Sequence, residues 1–111
     1  MAQTRFTGPV KSDNGFIVGA GATVTELSAA TASLNFGSIA TLEQADLTIT
    51  VAGAAVGDYV TLALPAAPTA GIVFNAFVSA ANTVTVRATN ITAGAVDPAA
   101  GTYGVLVIAA A

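Results

Sequence analysis

From residue 45 onward the chain is written in twos. ADLTITV (45–51) sets Leu47, Ile49 and Val51 against Asp46, Thr48 and Thr50. DYVTLAL (58–64) sets Val60, Leu62 and Leu64 against Tyr59, Thr61 and Ala63. TVTVRAT (83–89) sets Val84, Val86 and Ala88 against Thr83, Thr85, Arg87 and Thr89. A period of two belongs to an extended strand, whose successive side chains point to opposite faces, and β-branched residues suit such a surface. Between the runs stand residues that end strands. Ala52–Gly57 reads as a turn, Pro65 and Pro68 cannot donate to a ladder, Ala81-Asn82 is short enough for a hairpin, and TAGAVDPAAG (92–101) reads as a loop. Short strands at roughly 10–12-residue spacing predict an all-β fold, a β-sandwich or jelly-roll-like module.

Two runs break the alternation. In GIVFNAFVSA (71–80), Ile72, Phe74, Ala76 and Val78 share one face, but Val73 and Phe77 stand on the other with Asn75 and Ser79. In TYGVLVIA (102–109), Tyr103, Val105 and Val107 oppose Leu106 and Ile108. The chain of 111 residues is 54% hydrophobic and 8% charged, against about 25% charged for an ordinary soluble domain. A membrane helix needs about 20 consecutive apolar residues. LALPAAPTAGIVF is interrupted by Pro65, Pro68, Thr69 and Gly71, and GVLVIAAA is too short. A transmembrane barrel needs many more strands than one such chain supplies, unless several chains share one barrel. The expectation is therefore burial against further copies of the same chain, with Val73, Phe77, Tyr103, Leu106 and Ile108 as the subunit interface.

Residues 1–44 hold most of the punctuation: Gly8-Pro9, Asp13-Asn14-Gly15, Gly19, Gly21 and Gly37. This divides the chain into an extended N-terminal arm with short strands (1–30) and a β-sandwich or jelly-roll domain (31–111). ASLNF (32–36) is a strand candidate, and Gly15–Val18 and Ala22–Leu27 are two shorter ones. TELSAATASL has the alternative of a helical turn or two, weakened by its Thr and Ser content. The N-terminus has no apolar core behind its charges and does not read as a secretory signal.

The chain lacks Cys and His, which removes disulfides, thiol chemistry, the commonest metal ligands and the usual general base. Six carboxylates remain: Asp13, Glu26, Glu43, Asp46, Asp58 and Asp97. They are scattered beside turns and strand ends, where a carboxylate caps backbone N–H groups. The five serines have no histidine to activate them and no nucleophile elbow. Gly19-Ala20-Gly21 lacks the spacing and lysine of a phosphate loop. Asn90-Ile91-Thr92 matches a glycosylation sequon and is read as incidental. Arg87 is read as a solvated strand residue, with pairing to an acidic group across an interface as the alternative. With a formal net charge of −3 and only Arg5, Lys11 and Arg87 basic, no nucleic-acid surface is expected. No catalytic residues, cofactor or metal are expected.

Two segments carry a resemblance: the opening TRFTGPVKSDNGF (4–16) and the region 57–108. The latter contains GDYV, a Pro-Ala stretch, FNAFVSAANTVTVR and NITAGAVDPAAGT in that order. Together they resemble small virion proteins of tailed bacteriophages, in particular capsid decoration (cement or head-fibre) proteins and related tail-fibre modules. The resemblance implies a non-enzymatic β-rich module that assembles as a homotrimer. It implies binding to the major capsid protein on the capsid exterior, after synthesis in the bacterial host cytoplasm. It also makes the arm the part that touches the shell, with Arg5, Phe6 and Lys11 as capsid contacts. The absence of coiled-coil heptads favours a compact decoration protein over its alternative, a receptor- or glycan-binding fibre module.

Overall fold

Alternation decides the architecture. In the computed structural model, which describes residues 3–110, every regular element is a strand. In chain order these are β1 (Phe16–Ile17), β2 (Thr23–Leu34), β3 (Gln44–Thr50), β4 (Tyr59–Ala63), β5 (Ile72–Ala80), β6 (Thr83–Asn90) and β7 (Gly101–Ala110). They form two antiparallel sheets, a four-stranded one in the order β1-β2-β7-β4 and a three-stranded one in the order β3-β6-β5. The sheets pack face to face, with β4 against β5 and β2 against β3. The fold is an all-β sandwich.

The apolar half of each alternating strand fills the space between the sheets. Ile49 and Val51 from the β3 region meet Val84 and Val86 of β6, Val78 of β5, and Tyr103, Val105 and Val107 of β7. Burying each such side chain stabilises the fold by about 1.5–3 kcal/mol. At one end Phe36, Phe74 and Tyr103 pack ring against ring, with centroids 5.7–5.9 Å apart. Nearby, Ile39, Ile72 and Ala88 form a smaller cluster. It lies under the loops that join Ile39 to Val96 through a two-residue bridge.

The turn chemistry explains the connections. β5 and β6 form the hairpin expected around Ala81-Asn82, with Asn82 at φ 61° and a register shift between Val78 and Ala80. The Asn82 side chain accepts from the Gly53 amide at 2.9 Å, and its backbone carbonyl accepts from the Val51 amide at 2.9 Å. The hairpin tip is thereby tied to the β3–β4 turn. Asp58 closes that turn by accepting from the Ala55 amide at 3.0 Å, the capping role its position suggested. β4 ends where Pro65 packs on β7: a side chain at Gly101 would approach the Pro65 ring to 2.8 Å.

One alternative is excluded here and one expectation corrected. TELSAATASL is not helical; it lies in β2, which pairs with β7 from Glu26↔Ala109 to Leu34↔Gly101. A strand places Ala30, Ala32 and Leu34 on one face against the core, whereas a helix would scatter them. The domain boundary at 30/31 also fails, because it cuts β2 between Ala30 and Thr31, which pair with Val105 and Gly104 of the same neighbour. The stretch without strand structure is shorter, residues 3–15, followed by the two-residue β1. The molecule measures 58 × 28 × 24 Å, longer than the roughly 40 Å that a 12-residue strand spans.

Candidate interaction surface

Each sheet turns one face inward and one outward, and the two outer faces differ in chemistry. On the three-stranded sheet the outward rows are Gln44–Thr89–Val73, Asp46–Arg87–Asn75 and Thr48–Thr85–Phe77. The Arg87 guanidinium grips Asp46 through Nε at 2.9 Å and Nη2 at 3.0 Å. It also lies over the Phe77 ring, 5.1 Å from the centroid. Such a fork-to-carboxylate pair holds both groups in one plane, and the stacked cation covers the ring. The Arg87 hydrogen bond holds the Asp46 carboxyl below its ordinary range. Beside the pair, the Thr85 hydroxyl donates to the Ser79 hydroxyl at 2.7 Å. Apart from Val73, which is 51% exposed, and Phe77 beneath Arg87, this face is polar.

On the four-stranded sheet the outward rows are Leu27–Ile108–Tyr59, Ala29–Leu106–Thr61 and Thr31–Gly104–Ala63, followed by Ser33–Thr102. Among the described residues these rows carry no charged side chain. Leu27 is 55% exposed, Tyr59 66% and Leu106 37%. Gly104 forms the floor of a shallow groove lined by Ala29, Thr31, Thr61, Ala63 and Leu106. Past the bulge in β2 lies a second depression of mixed character, where Val10, Phe16, Val24 and Leu27 stand beside Ser12, Thr25 and the Glu26 carboxylate.

The five expected interface residues do not share one surface. Val73 and Phe77 stand on the outer face of the three-stranded sheet; Leu106 and Ile108 stand on the outer face of the four-stranded one. Tyr103 belongs to neither. It is 2% exposed and sits in the core against Phe36 and Phe74, so it is corrected from interface to core residue. Burial raises its phenol above the ordinary value. Phe77 is half-buried beneath Arg87 of its own chain, which answers its exposure without a partner. Arg87 pairs with the adjacent strand rather than across an interface. Sequence reasoning missed Leu27, Ala29 and Gly104. β2 showed no alternation strong enough to reveal its outward face.

The expected capsid contacts lie in the segment before β1. Arg5 and Lys11 are exposed, and Phe6 is 69% exposed. Lys11 meets Asp13 at 3.1 Å with both side chains in water. The Ser12 hydroxyl donates to the Gly15 carbonyl, closing the turn that leads into β1.

The sequon has a structural role. Asn90 has no solvent exposure. Its side-chain amide donates to the carbonyls of Ile39 at 2.9 Å and Gly94 at 2.8 Å, and its oxygen accepts from the Thr92 amide at 2.9 Å. Asn90 therefore pins the two loops at the end of the sandwich, and the folded chain offers no nitrogen to a glycosyl donor. At the same end a cleft is lined by Leu64, Pro65, Pro68, Phe74, Pro98 and Tyr103, with no ionisable group other than the Tyr103 phenol. Among the described residues no group of three or more potential metal-binding side chains comes together, and no helix is long and apolar enough to cross a membrane.

Comparison with protein-family models, curated proteins and solved structures finds no match to this chain.

Proposed function

We propose that this protein is a structural virion protein that decorates and stabilises the exterior of a phage capsid. It assembles as a homotrimer and bridges capsomers of the major capsid protein. The observation that carries the reading is the division of labour within one short chain. A strand-free, exposed leading segment bearing Arg5, Phe6, Val10 and Lys11 precedes a rigid sandwich, and one face of that sandwich is apolar and uncharged. The resemblance of residues 4–16 and 57–108 to phage decoration proteins supports the same reading. Docking such an arm costs ordering entropy, and many identical copies on one shell offset that cost through multivalent attachment.

A glycan- or receptor-binding fibre module is the second reading. It is the weaker one, because of the two tyrosines that could serve as its platform Tyr103 is enclosed in the core and only Tyr59 is exposed.

Co-sedimentation with undecorated phage shells tests the proposal. The chain is expected to pellet with shells, and residues 3–15 to gain protease protection only in the pellet. Replacing Arg5, Phe6 and Lys11 together by alanine is expected to abolish pelleting while the sandwich stays folded. A chain that remains in the supernatant, or an arm that is cleaved equally fast with and without shells, overturns the reading.

A further inference from the structure

We infer that the outer face of the four-stranded sheet is the surface on which copies of this chain meet, with the groove over Gly104 receiving apolar side chains of a neighbouring copy. The inference rests on the self-association in the proposed function and is independent of the capsid.

Three observations select the occupant. The first is charge. The rows from Leu27–Ile108–Tyr59 to Ser33–Thr102 hold no ionised group among the described residues, whereas the opposite outer face carries the Asp46–Arg87 pair. A partner recognised by charge has nothing to bind here. An anionic surface is disfavoured by the net charge of −3. An uncharged face meets its own copy with no like-charge repulsion, which is the first requirement of a contact between identical chains.

The second is shape. The same face bears both projections and a recess. Leu27 and Tyr59 stand more than half exposed at the two ends of one row, on either side of Ile108. Gly104, flanked by Ala29, Thr31 and Ala63, leaves a hollow two rows away. One copy can therefore place its projections in the recess of the next without any element supplied from outside.

The third is area. At the spacing of strands and residues in a sheet, the four strands present a plan area of roughly 450 Å². That plan is about half of the roughly 800 Å² per partner of a standard interface, and the side chains standing on it add to the accessible surface that a second copy would cover.

Gly104 supplies a clean test. A Cβ added there would meet Thr31 at 3.5 Å and Ala63 at 3.7 Å, which is ordinary contact. The Cβ of Gly104→Val therefore meets only ordinary contacts in its own chain, and the side chain occupies part of the recess. Sedimentation velocity and light scattering of the full chain, with far-ultraviolet circular dichroism as the check on folding, are measured for four proteins. The wild type is expected to be a defined oligomer. Gly104→Val and Leu106→Glu are expected to be folded and to dissociate at concentrations roughly tenfold or more above the wild type. Val73→Glu, on the other sheet, is expected to stay assembled. A wild-type monomer at micromolar concentration overturns the inference. So does assembly that survives both groove variants, or assembly that is lost in Val73→Glu alone. An oligomer that fails to bind shells would sink the capsid role and leave this inference standing; a monomer that binds shells would overturn this inference and the homotrimer while leaving attachment to the capsid.

Discussion

Asn90 shows how a single polar residue can hold a fold whose regular elements are apolar. Its side chain joins the loop at Ile39 to the loop at Gly94 and is wholly enclosed. Asn90→Ala leaves the Thr92 amide without its acceptor, while the Ile39 carbonyl keeps the Val96 amide and the Gly94 carbonyl keeps the Thr92 hydroxyl; it is expected to cost about 1–3 kcal/mol, read from urea denaturation midpoints at an unchanged slope. Its type was visible in the sequence, but its role was not. The sequon pattern pointed to chemistry at a surface, whereas the partners lie up to 51 residues away. The Asp46–Arg87 pair makes a second residue-level claim. Because the pair lowers the folded-state value of Asp46, its contribution is present above the unfolded carboxyl value of 3.8 and is lost as the pH falls through the lower, folded value. The melting temperatures of wild type and Asp46→Asn are therefore expected to differ at neutral pH and converge in acid. The difference is small because the pair is partly solvated. A gap that widens in acid would contradict the assignment.

At the scale of elements, β3, β4, β6 and the β5–β6 hairpin were legible because each combines alternation with a recognisable stop. β2 was not. Ala, Ser and Thr at TELSAATAS carry little hydrophobic contrast, so neither period dominates, and tertiary pairing with β7 decides the outcome. The division of strands between two sheets was equally hidden, since it depends on non-local pairing. Tyr103 is the instructive error. Its parity with Val105 and Val107 puts it on the inward face, opposite Leu106 and Ile108. Turn glycines carry a further prediction. Gly71 has φ +83°, and an added Cβ would collide with the Thr92 side chain. Gly71→Ala is expected to destabilise by about 1–3 kcal/mol, measured by thermal or urea unfolding. Gly57 also has a positive φ, at +100°, but no atom lies within 4 Å of an added Cβ. Its alanine variant therefore bears backbone strain without the clash and is expected to lose less.

For the whole molecule, the two outer faces explain a composition that is otherwise hard to reconcile with a small sandwich. One face spends its few charges on covering Phe77 and stays wet; the other has none among the described residues and displays Leu27, Tyr59 and Leu106. Exposed apolar side chains also stand elsewhere, Val73 on the opposite sheet and Leu42, Val56 and Ile91 in loops, but on the four-stranded sheet they share an uncharged face, where burial by a like surface is possible and where lasting exposure would invite uncontrolled association. Because the chain has no cysteine, a single introduced thiol reports on one position. The most direct measurement is the thiol-labelling rate of Ala29→Cys, on the groove of the four-stranded sheet, compared with Asn75→Cys on the opposite face, as protein concentration is raised through the micromolar range. The rate at position 29 is expected to fall roughly tenfold, the factor for nine chains in ten assembled and only the free chain reacting, while the rate at position 75 stays constant. Equal rates at both positions, unchanged by concentration, would contradict the account.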